Sequence, residues 1–192
     1  IRDRLKRLGC SCDWSRERFT LDEGLSKSVR HVFVKLYKDG LVYKDKRLSN
    51  WDPKLKTTIS DLEVIQKEVT GTLWYIDYEI ENEDSHITIA TTRPETMLGD
   101  TAIAVHPKDK RFSDMVGKFA ILPIVKKRIP IVADEYVKMD QGSGAVKITP
   151  AHDFNDYELG KRHKLEIINI FNENAELNEN CPIEYQGLDR YT

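Results

Sequence analysis

The chain has 192 residues, 30 Lys/Arg against 32 Asp/Glu, 40% hydrophobic residues and 3 cysteines, enough for one large domain or one domain with flanking pieces around a substantial core. Cys10 and Cys12 lie two apart and Cys181 is distant, which excludes a disulfide framework and a Cys-x-x-Cys metal knuckle. No apolar run nears the length of a membrane span and the first residues carry no signal-peptide core, so reduced thiols, no membrane partner and a cytoplasmic setting are expected.

Ile1 to Leu8 reads as the end of a helix closed by Gly9. The missing initial methionine and the abrupt Tyr191-Thr192 end lead to the expectation of an excised fragment. A second helix is predicted from near Thr20, where Thr20 and Glu23 have capping-box spacing. Leu25, Val29, Val32, Phe33 and Leu36 then share one face, and Gly40 is a stop signal. Residues 1–60 hold 15 Lys/Arg against 8 Asp/Glu, a surplus of +7, while the remainder holds 15 against 24, a surplus of −9. A basic entry segment suits a phosphate backbone, and a solvated helical face is the other reading.

From Leu41 the pattern turns to short strands: Leu41 to Tyr43 with a turn at Asp45-Lys46, and a bend at Trp51-Asp52-Pro53. The clearest strand is Leu73 to Ile80, where Trp74, Ile76, Tyr78 and Ile80 alternate with Tyr75, Asp77 and Glu79. A polar turn over 81–85 leads back through Ile87 and Ile89, a hairpin that delivers the stretch Ala90-Thr91-Thr92-Arg93-Pro94-Glu95-Thr96-Met97-Leu98-Gly99-Asp100. Pro94 drives Arg93 out of the α region and suits the first position of a short helical turn that Gly99 can close. Such a turn is either a capped strand end or a polar loop offering amides and hydroxyls to a ligand.

Further strands are predicted at Thr101–Val105, Lys118–Val125, Ile129–Val132, Ala145–Thr149 and Leu165–Phe171. The fold class expected is mixed α+β and strand-dominated, with a few short helices. In the Ala145–Thr149 strand, Ala145, Lys147 and Thr149 share one face and Val146 and Ile148 the other. Pro150 ends it, and Asp153 caps a helix running to about His163. Asp156 falls three residues on, near the positive end of the helix dipole, where a carboxylate is expected to stay ionised at neutral pH. On its own that carboxylate is an ordinary capping partner. The five histidines and three cysteines show no metal-ligand spacing, and no Gly-x-Ser-x-Gly elbow is present. His152 is readable as a general base or as an orienting group, and His106, before Pro107, as structural.

Thr91 to Thr101 resembles the threonine-rich motif of the editing domain inserted into valyl-tRNA synthetases, and Gly142 to Tyr157 resembles the same family's second editing motif. Asp13-Trp14-Ser15-Arg16-Glu17-Arg18-Phe19, Asn50-Trp51-Asp52-Pro53-Lys54-Leu55 and Gln186-Gly187-Leu188-Asp189-Arg190 extend the similarity over nearly the whole chain. The resemblance implies the β-barrel-like core of the Val/Ile/Leu editing domains. It divides the chain into a junction toward the synthetase catalytic domain (1–60) and an editing body (61–192), with residues from about 175 returning toward the junction.

The implied reaction is hydrolysis of the aminoacyl ester of threonyl-tRNA(Val), with the tRNA(Val) 3′ acceptor end as partner and threonine or threonyl-adenosine as ligand. Asp156 is implied to pair with the substrate ammonium, Asp153 to fix the helix start or a water, and Thr149 and Lys147 to line the site, Lys147 facing the terminal nucleotide or the oxyanion. Thr91, Thr92 and Thr96 present hydroxyls, Arg93 binds adenosine or braces the loop, and His152 lies beside them. Gln141 stands where many members carry phenylalanine, which puts adenine stacking in question. Editing needs no cofactor; ATP and magnesium belong to the full-length synthetase, and the chain has neither a His-x-Gly-His nor a Lys-Met-Ser-Lys type motif. An isoleucyl-type domain that removes valine, or a noncatalytic acceptor-end binding module, are the alternatives.

Overall fold

The computed structural model describes residues 1–191. Contacts divide the chain into two compact units, residues 1–47 and residue 48 onward. The first holds α1 (Arg2–Arg7) and α2 (Glu23–Lys38), each followed by a glycine at positive φ, Gly9 and Gly40. The cap of α2 is Asp22, not Thr20: its carboxylate accepts from the Leu25 amide at 2.8 Å and is held by Arg18. A carboxylate immediately before the helix outcompetes a hydroxyl two residues earlier because it adds charge to the same bond. Val29, Val32 and Phe33 on the apolar stripe are more than half exposed. Leu41–Tyr43 forms no strand; its amides at Leu41 and Val42 bond back to the Leu36 carbonyl, which finishes the helix instead.

The second unit opens with a two-stranded hairpin, β1 (Asn50–Asp52) and β2 (Thr57–Ile59), tied down by Trp51 Nε1 donating to the Glu173 carbonyl at 3.0 Å. Its turn follows Pro53 and uses Lys56 at φ 53°. The body is a six-stranded sheet of β3 (Trp74–Ile80), β4 (His86–Thr91), β5 (Ala102–Val105), β6 (Phe119–Ile121), β7 (Arg128–Ala133) and β8 (Ala145–Ile148). Their order is β4-β3-β6-β7-β5-β8, antiparallel throughout except for the β5–β7 pair. The edge strands β4 and β8 touch, which curls the sheet nearly into a barrel. The predicted strand-dominated α+β class is the observed one.

The β5 strand explains where the core sits. Ile103 and Val105 join Tyr78, Ile87, Ile89, Ile129 and Ile131 inside the curl, while Ala102 and Ala104 face Ile148 and Leu159 under α3 (Phe154–His163). Both faces are dry, so β5 reads as an unbroken apolar run. Two predicted strands are corrected. Only Phe119–Ile121 of the 118–125 stretch pairs, because Leu122 to Lys127 closes a tight turn. Leu165–Phe171 is no strand: the Ile170 amide goes to His152 Nε2 and its carbonyl to the Asn178 amide, leaving a single bridge at Phe171–Leu177.

Candidate functional site

The Ala90–Asp100 stretch behaves as Pro94 dictates. Arg93 sits at φ −128°, and Pro94–Gly99 forms a short 3-10 helix with Pro94 at its start. Gly99 is needed there for space: a Cβ would meet Ile170 Cγ2 at 3.0 Å and the Ile168 carbonyl at 3.2 Å. β8 delivers Lys147, 47 residues after Asp100, Thr149 follows just past the strand, and Pro150 turns the chain into α3. Asp153 caps that helix through Oδ1, accepting from the Asn155 and Asp156 amides at 2.8 and 3.2 Å. Gly160 packs on Pro150, where a Cβ would come within 2.8 Å, so α3 lies close to the strand end.

These segments enclose a cavity of about 590 Å³ open to solvent, a size that suits a small ligand. Thr91, Thr92, Arg93, Thr96, Gln141, Lys147, Thr149, His152, Asp153 and Asp156, every position singled out in the sequence, lie in its wall. Arg93 joins the two motifs directly, its Nη1 donating to the His152 carbonyl at 2.9 Å. Asp156 Oδ2 accepts from the Thr149 amide at 2.9 Å. Burial, only partly countered by that bond, pushes the Asp156 carboxyl up to about 6. The helix start therefore does not hold it at an ordinary carboxylate value, although it is still ionised at neutral pH.

His152 is neutral, its pKa pushed down to about 4 by burial and by Arg93 and Lys147. Nε2 accepts the Ile170 amide at 3.1 Å, and the ring stands edge-on to Phe171, 4.9 Å between centroids. With that lone pair in use, His152 orients the 168–171 segment. His106 Nδ1 likewise accepts the Lys108 amide.

Two residues that sequence reasoning passed over complete the site. Tyr136 brings an aromatic ring to the cavity wall, 45% exposed, its phenol pushed up by burial and by Asp153 and Asp156. Asp100 is fully buried behind the wall: Oδ1 accepts Thr149 Oγ1 at 2.6 Å and Lys147 Nζ at 3.1 Å, and Oδ2 accepts the Tyr78 hydroxyl at 2.8 Å. A carboxylate lodged between a glycine and an all-apolar strand was a legible sign of a buried charge in need of a cation. Among the described residues no group of three or more His, Cys, Asp or Glu is placed to hold a metal ion.

The chain belongs to the class I tRNA synthetases (I, L, M and V), whose family model matches residues 1–176. Within them it is similar to the Valine–tRNA ligase of Pelagibacter ubique, 65% identical over 100% of this chain and 22% of that protein. The Valine–tRNA ligase of Syntrophotalea carbinolica is 60% identical over 100% of this chain and 21% of that protein. That of Mesorhizobium japonicum is 66% identical over 88% and 19%. The chain thus spans about a fifth of the length of these relatives. A solved ternary complex of Agrobacterium radiobacter K84 LeuRS with tRNA and LeuAMS aligns with 88% of this chain and 31% of that chain, at 20% identity and a TM-score of 0.47.

Proposed function

We propose that the cavity hydrolyses the ester of threonyl-tRNA(Val), the editing step of a valine-tRNA ligase, and that residues 1–60 form a junction toward that enzyme's catalytic domain. The observation that carries this reading is the meeting of Asp156 with the threonine loop in one chamber of about 590 Å³. An aminoacyl ester carries a free ammonium beside an already activated carbonyl. Ionised Asp156 takes the ammonium, which orients the carbonyl for a water held by Asp153. The water oxygen bonds to the carbonyl carbon, the bond to the ribose oxygen breaks, and a water proton ends on that oxygen. No side chain forms a covalent intermediate. Arg93 and the exposed Tyr136 ring face the terminal adenosine, and Tyr136 supplies the aromatic surface that Gln141 does not.

Such a site answers a limit of selection by size. A hydrophobic valine pocket rejects isosteric threonine by only about a hundredfold, a general figure for valyl-tRNA synthetases. A second chamber lined by hydroxyls selects on chemistry instead. The isoleucyl alternative is disfavoured by the 65% and 60% identity to proteins named Valine–tRNA ligase, and a binding-only module, which could use Asp156 for the same ammonium, is separated from a hydrolase by turnover. The test is deacylation in the full-length protein. Threonyl-tRNA(Val) is turned over and valyl-tRNA(Ile) spared; the reverse preference assigns the isoleucyl activity, and no turnover of either leaves a binding module.

A further inference from the structure

The floor of the cavity has a fixed hydrogen-bond direction, and a residue outside the cavity fixes it. Lys147 Nζ has three N–H donors and three acceptors around it: Thr149 Oγ1 at 2.6 Å, Thr96 Oγ1 at 2.7 Å and Asp100 Oδ1 at 3.1 Å. No donor of the ammonium is left over. Because Lys147 can only donate, both threonine oxygens accept from it. The Thr149 proton then goes to Asp100 Oδ1 at 2.6 Å, and the Thr96 proton to the Arg93 carbonyl at 3.0 Å. Tyr78, wholly buried and with its phenol pushed far up by burial and by Asp100, can only donate to Asp100 Oδ2. Burial pushes the Asp100 carboxyl up while the Lys147 ammonium pulls it back down, and with Asp100 ionised beside that ammonium each bond fixes the direction of the next.

We infer that Asp100 is a specificity-determining, positioning residue: by drawing the Thr149 proton and the Lys147 ammonium toward itself it leaves the cavity floor offering only oxygen lone pairs, so the favoured side chain must bring a hydrogen-bond donor. A hydroxyl does so. A methyl group, or a fluorine that can only accept, leaves those nearly dry oxygens unpaired. Sheet geometry explains why such a device is needed, since alternation along β8 turns Lys147 and Thr149 to the same inner face as Ala145, where a lone ammonium would be costly. Asp100 supplies the counter-charge, and Gly99 supplies the close approach.

This inference rests on the ester-hydrolase reading, and a probe on the unaltered protein separates the two. tRNA(Val) charged with threonine, with valine and with the 3-fluoro analogue of threonine, in which fluorine replaces the hydroxyl, is given to the full-length protein, and kcat/KM for deacylation is compared. Threonyl ester is expected to be preferred over both others by on the order of 10- to 100-fold, the fold-change of one lost hydrogen bond. Asp100→Asn, which places an amide donor in the network, is expected to narrow the threonyl-to-fluoro ratio by about tenfold, and Tyr78→Phe, which frees one Asp100 oxygen, to narrow it less. General loosening of the fold would lower all three rates together and leave the ratios alone. Equal turnover of threonyl and fluoro esters by the unaltered protein, or unchanged ratios in a folded Asp100→Asn protein, overturns the inference while leaving ester hydrolysis standing. Turnover of none of the three esters overturns the hydrolase reading itself, and this inference with it.

Discussion

The backbone N–H of Thr149, at the end of β8, donates to Asp156 Oδ2 in the first turn of α3, 2.9 Å away. That bond aims the carboxylate into the cavity while burial pushes its pKa up to about 6. Ammonium binding needs ionised Asp156 and a protonated substrate amine, so kcat/KM for ester hydrolysis is expected to rise with pH through about 6 and to fall again above roughly 7.7, where an α-amino group loses its proton. A pH–rate profile at limiting substrate checks this.

The same shift fixes a sign for stability. The Asp156 folded value of about 6 lies above the ordinary carboxyl value of 3.8, so its contribution is fully present below the unfolded pKa and lost as pH rises through 6. Asp156→Asn keeps an acceptor for the Thr149 amide and removes the desolvated charge. It is expected to raise stability at pH 7 by on the order of 1–3 kcal/mol while slowing turnover severely, as denaturant unfolding beside a deacylation assay would show.

His152 works in the opposite sense. Its folded value of about 4 lies below the ordinary imidazole value of 6.5, so its contribution is present above the unfolded value and lost as pH falls through 4. His152→Ala removes the acceptor of the Ile170 amide and is expected to cost about 1–3 kcal/mol. If Asp156 governs the limb near pH 6, that limb survives the substitution in whatever fraction remains folded.

Arg93 spans the two motifs through the His152 carbonyl and also reaches Glu95 at 3.4 Å. A lysine cannot make that fork. Arg93→Lys is therefore expected to raise KM for mischarged tRNA severalfold with stability changed by no more than about 0.5 kcal/mol, measured by steady-state kinetics and thermal melting on one preparation.

At the rim, Tyr136→Ala is expected to raise KM about tenfold with kcat preserved, the size of one base–aromatic stack. Gln141→Phe, which adds a second ring to the same wall, is expected to lower KM. Steady-state deacylation of threonyl-tRNA(Val) by both variants checks the pair.

Much of this geometry was legible in the sequence because it is local. Pro94 sets the turn, two-residue alternation orients Lys147 and Thr149, and Asp153 caps α3 whatever lies around it. What stayed hidden is set by partners far along the chain. The Leu165–Phe171 stretch has strand composition, yet its Ile170 amide is taken by a histidine 18 residues away and no ladder forms. Asp100 stood in plain view at the end of the threonine motif, but its role depends on Tyr78, 22 residues earlier, and on Lys147, 47 residues later. Lys147 was expected to face the nucleotide or the oxyanion; its three acceptors turn it inward instead.

The central claim is that Asp156 holds a substrate ammonium while water cleaves the adjoining ester. Single-turnover hydrolysis of threonyl-tRNA(Val) against N-acetylthreonyl-tRNA(Val) by the full-length protein tests it most directly, since acetylation removes the charge and leaves the ester. Rapid cleavage of the first and little of the second is predicted, with Asp156→Asn slow on both. Equal cleavage of the two esters, or full activity in Asp156→Asn, would contradict it.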